Sequence, residues 1–128
     1  MRGVDVRILI PEKGDSWLSD LSSWAHVTSL MEVGVKLYRH QVGFMHQKVM
    51  LIDGDRATVG TANFDNRSFR LNFEITMEMR NPLFAEKVGK MLEADFEKSH
   101  RVAADELSKR GFLFNFGVRA ASLLAPIQ

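Results

Sequence analysis

The sequence contains no cysteine, which excludes a disulfide framework and a thiolate metal site and fits a reducing compartment. It also lacks a charge excess: 17 Lys and Arg stand against 16 Asp and Glu, leaving a formal +1. No global field therefore draws the chain toward nucleic acid or an anionic membrane, and any anion affinity must be local. After Met1 there is no basic stretch followed by a long apolar run, so no signal peptide is read. No apolar run reaches the roughly 20 residues a membrane-spanning helix needs. The longest apolar neighbourhood, GFLFNFGVRAASLLAPIQ, is broken by Asn115 and Arg119. Repeats, low-complexity tracts and linkers are missing too.

What is present is the make-up of one globular domain: 128 residues, 45% hydrophobic and 26% charged. GVDVRILIP reads as a strand over Val4 to Ile10, closed by Pro11, with no earlier element to pair with, which points to a chain that opens inside a domain. Asp15 to Glu32 reads as a helix capped by Asp15 or Ser16 and stopped at Gly34. A second strand over Val35 to Arg39 makes strand, helix, strand, the pattern of a parallel pair with a crossover. Lys48 to Asp53 and Ala57 to Thr61 flank Asp53-Gly54, a hairpin signal. Phe73 to Met79 alternates as a strand. Pro82 opens a helix with apolar Leu83, Phe84, Val88, Met91, Leu92 and Phe96, and a last helical stretch covers Ala103 to Leu124.

The stretch HQKVMLIDGDRATVGTANFD carries the chemistry. On a strand His46 and Lys48 share a side, about 7 Å apart along the backbone. Imidazole can act as nucleophile or general acid near neutral pH, and an ammonium beside it can hold a phosphate oxygen. Asp53 has the opposite parity and lies at the turn, where a carboxylate accepts backbone N–H bonds. The returning strand brings Thr61 and Asn63 back beside its start, offering a hydroxyl and an amide to the same anion. Glu74 comes next, where it could accept a proton from a ring nitrogen of His46 and fix which nitrogen faces a substrate.

The spaced set H-x-K-x4-D-x6-G-[ST]-x-N, present as His46, Lys48, Asp53, Gly60, Thr61 and Asn63, resembles the HKD signature of the phospholipase D superfamily. The flanks GVKLYRHQVGFMHQKVMLID and VGTANFDNRSFRLNFE resemble the C-terminal half of bacterial cardiolipin synthases. The resemblance implies an α/β fold: one half of an α/β/α sandwich, with a mixed sheet and one HKD motif. It implies a lobe over residues 1–100, a helical extension over 101–128, and an N-terminal lobe and membrane spans that lie elsewhere. It also implies metal-free phosphatidyl transfer between two phosphatidylglycerol molecules through a phosphohistidine, giving cardiolipin and glycerol, at a bacterial inner membrane. In the family one motif histidine is the nucleophile and the other, here His46, the acid/base. His46, Lys48, Asp53 and Glu74 form the implied catalytic set, with Asp53 largely structural and Glu74 matching the carboxylate that hydrogen-bonds the motif histidine. Thr61 and Asn63 would hold phosphate oxygens.

The chain departs from two-motif members in having one H-x-K, because neither His26, His40 nor His100 begins another. It is therefore expected to hold half an active site and to be inactive alone, needing the missing lobe or a second copy. The alternatives are a homodimeric phosphodiesterase or nuclease and a silent anion-binding lobe; the near-neutral charge argues against nucleic acid. His26, His40 and His100 read as structural. Arg67 could bind a lipid phosphate or pair with Asp65, and Asn72 shares that ambiguity. Lys109 to Leu124, with cations beside phenylalanines, could lie in a membrane interface or pack as a helix on protein.

Overall fold

The structure, a computed structural model, describes residues 3–12, 30–63, 68 and 70–103. Two compact units divide them: those of Met1–Met45 with Lys98–Pro126, and those of His46–Glu97. Most of the expected helix over Asp15 to Glu32, the C-terminal stretch beyond Ala103, and Arg67 lie outside the described residues.

In the first unit β1 (Arg7–Pro11) runs parallel to β2 (Lys36–His40), and β6 (Ser99–Arg101) pairs antiparallel on the other edge of β2. The parallel pair agrees with the strand-helix-strand reading. The helix entering β2 ends as expected at Gly34, for a defined reason. Residues 30–32 are helical, the Val35 N–H donates to the Leu30 C=O (3.1 Å), and the Gly34 N–H donates to the Met31 C=O (2.9 Å). Gly34 has φ 88°, which closes this Schellman arrangement without the steric cost a Cβ would bring. Being central, β2 buries Leu37, Arg39 and His40. Arg39 Nη1 donates to the Glu12 carbonyl (2.7 Å), which offsets part of the cost of taking a guanidinium out of water. The ring of His40 meets Ser99 Oγ (3.3 Å), and that of His100 meets Glu12 Oε2 (3.5 Å). Strand β6 is not foreshadowed in the sequence: three polar residues offer no periodicity, and pairing with β2 alone makes them a strand. It straddles the expected lobe boundary at residue 100.

The second unit is an antiparallel sheet in the order β3 (Val49–Ile52), β4 (Arg56–Gly60), β5 (Thr76–Arg80), with helix α1 (Pro82–Glu97) packed on it. Asp53 and Gly54 both have positive φ (49° and 75°), the twist a tight hairpin requires, and the Asp55 N–H donates to the Ile52 C=O (3.3 Å). Leu51, Ala57 and Met79 lie in register on one face, with Ala57 fully buried. Gly89 of α1 approaches Leu51 there, so that a Cβ would lie 3.4 Å from Leu51 Cδ2. The helix starts sharply because Asn81 Oδ1 accepts the N–H groups of Leu83 (3.0 Å) and Phe84 (3.1 Å), with Pro82 at the first helical position. Its buried face is Ala85 and Val88, while Leu83 and Met91 of the expected apolar stripe are exposed. The expected strand from Phe73 begins at Thr76 instead. The Ile75 N–H is taken by Thr61 Oγ1, a side chain, where a ladder would have supplied a carbonyl. Among the described residues no helix is long and apolar enough to cross a membrane.

Candidate active site

The hairpin places the motif as its spacing requires. The Gly60 N–H donates to the Lys48 C=O (3.0 Å), so the end of β4 lies beside the approach to β3. Lys48 keeps the parity of Met50 and thus belongs to the face opposite Leu51. His46 is exposed, and its carbonyl accepts from Lys48 Nζ at 3.2 Å. Gly60 is needed as glycine, because a Cβ there would come within 2.7 Å of the Ile75 carbonyl oxygen and 2.6 Å of Thr76 Oγ1. This close approach of β4 to residues 75 and 76 brings Thr61 within reach of Glu74.

Glu74 is the centre of the polar contacts. Thr61 Oγ1 donates to Glu74 Oε2 (2.6 Å) and accepts the Ile75 N–H (3.0 Å), while the Thr61 N–H donates to the Ile75 C=O (2.9 Å). Asn72 Nδ2 donates to Glu74 Oε1 (3.3 Å). Buried Ser68 also hydrogen-bonds Glu74 and accepts the Asn63 N–H at 3.1 Å. The Thr61 hydroxyl holds the Glu74 carboxyl below its ordinary value against the opposing effect of desolvation; Asn72, Ser68 and the charge of Lys48 act in the same direction as Thr61. A carboxylate kept ionised by several donors is also fixed in place. The Thr61 proton, spent on Glu74, is directed at a neighbouring carboxylate in this arrangement.

The structure thus brings Lys48, Thr61 and Glu74 together and puts Asn63 next to them through Ser68. Asp53 sits apart, at the exposed tip of the hairpin. Sequence reasoning gives Ser68 no role and leaves Asn72 open; the N-x-E spacing of Asn72 and Glu74 is the signal available for the latter. A shallow recess of about 510 Å³ lies elsewhere, between the β3 turn and α1, lined by Leu51, Gly54, Ala85, Gly89 and Glu93 among others. None of the motif residues borders it.

This hairpin, with its H-x-K entry and carboxylate-bearing neighbour, defines a phospholipase D-like domain. The crystal structure of Nuc, a phospholipase D family member from Salmonella typhimurium, superposes with a TM-score of 0.67, covering 79% of this chain and 66% of that one at 22% identity. At that identity the likeness speaks for the fold. A family described as cardiolipin synthase, PLD-like domain, matches residues 1–98, and the chain belongs to it. Cardiolipin synthase A of Pseudomonas putida is 43% identical over 127 residues, and that of Pseudomonas aeruginosa 45%; each alignment takes in 99% of this chain. The chain spans 26% of the length of these relatives.

Proposed function

We propose that this chain is the C-terminal catalytic lobe, residues 1–100 with a helical extension, of a phosphatidyltransferase that makes cardiolipin from two phosphatidylglycerol molecules. What supports the reading is the cluster of Thr61, Asn72, Ser68 and Lys48 that holds Glu74 ionised, with Lys48 Nζ also bonded to the His46 carbonyl, in a chain of this family. The histidine of a second HKD lobe attacks phosphorus, forming a P–N bond as the P–O bond to the departing glycerol breaks. His46 gives that glycerol oxygen its proton. The free hydroxyl of a second phosphatidylglycerol then loses its proton to His46 and attacks phosphorus, breaking the P–N bond and yielding cardiolipin. Lys48 and the Asn63 amide hold the non-bridging oxygens, supplying the charge stabilisation that metal-free phosphoryl chemistry requires. Arg67 is assigned to the lipid phosphate. Thr61 acts through Glu74, which orients the imidazole and balances Lys48, and Asp53 serves the turn.

Alone, the chain has one of the two histidines and is expected to be inactive. The test is to mix it with an N-terminal HKD lobe at a membrane surface and assay cardiolipin, with and without His46→Ala. Loss of product in the variant supports the assignment; unchanged product removes His46 from the mechanism.

A further inference from the structure

His46 and Lys48 stand where the sheet lets go of the chain. Residues 44–48 carry no regular structure, and the pairing of β3 with β4 runs out at the Lys48 carbonyl. The side chain of Gln47, between them, reaches α1, where its Nε2 donates to Asp95 Oδ2 at 2.6 Å. This joins the middle of the H-x-K triplet to the helix behind it. Asp95 is poorly placed for the helix itself. The last turn of α1 contains Asp95 and Glu97 and no basic residue, although a helix C-terminus carries a partial negative charge that favours cations. Asp95 is only partly exposed as a residue, and its position is better explained by the bond it makes to Gln47 than by helix stability.

We propose that Asp95, acting through Gln47, is a positioning residue for the His46–Lys48 pair; the functional part of this rests on the phosphodiester-handling role proposed for that pair. Fixing Gln47 from behind restricts the backbone torsions on both sides of it, and so the directions in which the imidazole and the ammonium leave the chain. A misplacement of about 1 Å in such a pair is enough to cost a large factor in binding or rate.

The test uses the full chain with Asp95→Ala, Asp95→Asn and Gln47→Leu. It measures NMR order parameters at residues 46–48 and monitors a titration with inorganic phosphate at the His46 ring. Asp95→Ala and Gln47→Leu are expected to lower the order parameters toward the flexible range, below about 0.6, and to weaken phosphate binding roughly tenfold or more. Asp95→Asn keeps an oxygen that accepts from Gln47 and is expected to match the parent in both. If Asp95→Ala fails to fold, Gln47→Leu, at an exposed position, carries the test. Unchanged order in the variants that remove the bond overturns the proposal. So does an Asp95→Asn that behaves like Asp95→Ala, since charge would then be the cause. If the order parameters respond as expected but even the parent chain ignores phosphate, the positioning stands and the proposed function falls.

Discussion

The hydroxyl of Thr61 donates to Glu74 (2.6 Å) while accepting the N–H of Ile75 (3.0 Å), so one oxygen locks a carboxylate to the backbone just beyond it. Ser68 does the same with Asn63, accepting its N–H and bonding Glu74. Both hydroxyls thereby turn backbone position into carboxylate position.

Thr61→Val should let the Glu74 carboxyl rise toward its ordinary 4.5, because the contact that lowers it most is gone. Thr61→Ser should restore the depressed value. Carbon-detected NMR titration of the Glu74 carboxyl checks both; a valine variant titrating like the parent would show that the hydroxyl does not govern the carboxylate.

Acid should weaken the site through the same group. A carboxylate with a folded pKa below its unfolded value contributes stability that is complete above the unfolded value and disappears as pH falls through the folded one. The loss is therefore expected below about pH 4.5. Asp5 and Glu86, lowered mainly by Lys36 and Lys90, share the sign, so the parent must be compared with Glu74→Gln. Urea melts across pH 3 to 6 should give the variant a shallower acid slope; parallel slopes would rule out a contribution from Glu74.

Gly60→Ala should destabilise the second unit by about 1–3 kcal/mol. The added methyl meets a backbone oxygen, which cannot swing away as a side chain would. Chemical denaturation measures the cost, and displaced amide signals at Thr61 and Ile75 would locate it. A neutral substitution would mean that β4 and residue 75 are not so close.

Gly89→Ala should act in the other direction. Its Cβ would make ordinary contact with Leu51, and relieving a helix-interior glycine is worth about 0.5–1 kcal/mol. A raised urea midpoint with an unchanged slope is the expected result; a lowered midpoint would indicate tighter packing of α1 on β3.

The sequence makes local features legible where backbone chemistry is explicit. Gly34 ends a helix, Asp53-Gly54 turns a hairpin, Pro82 starts α1, and in each case the residue type and the conformation required are the same fact. The motif spacing likewise foretells that β4 returns beside Lys48. Contacts whose partners depend on non-repetitive chain are not legible. Ser68 reaches both Asn63 and Glu74 from the stretch of sequence between β4 and β5, Asn81 caps α1 from the position before its proline, and β6 exists because β2 has a free edge to pair with. The start of β5 reads three residues too early in the sequence because alternation of side chains continues through Phe73 to Ile75 while the pairing there passes to a threonine side chain.

The turn at Asp53 to Asp55 also acts as a ruler. It sets β3 against β4 so that Val49 faces Val59 and Leu51 faces Ala57. Removing one residue from it would slide the pairing by a single step and invert the outgoing limb, sending Leu51 into water and the lysine ammonium toward the helix. The number of residues separating the histidine from the asparagine is therefore a matter of orientation as much as reach, and lengthening or shortening that interval would blind the site even with every reactive group retained.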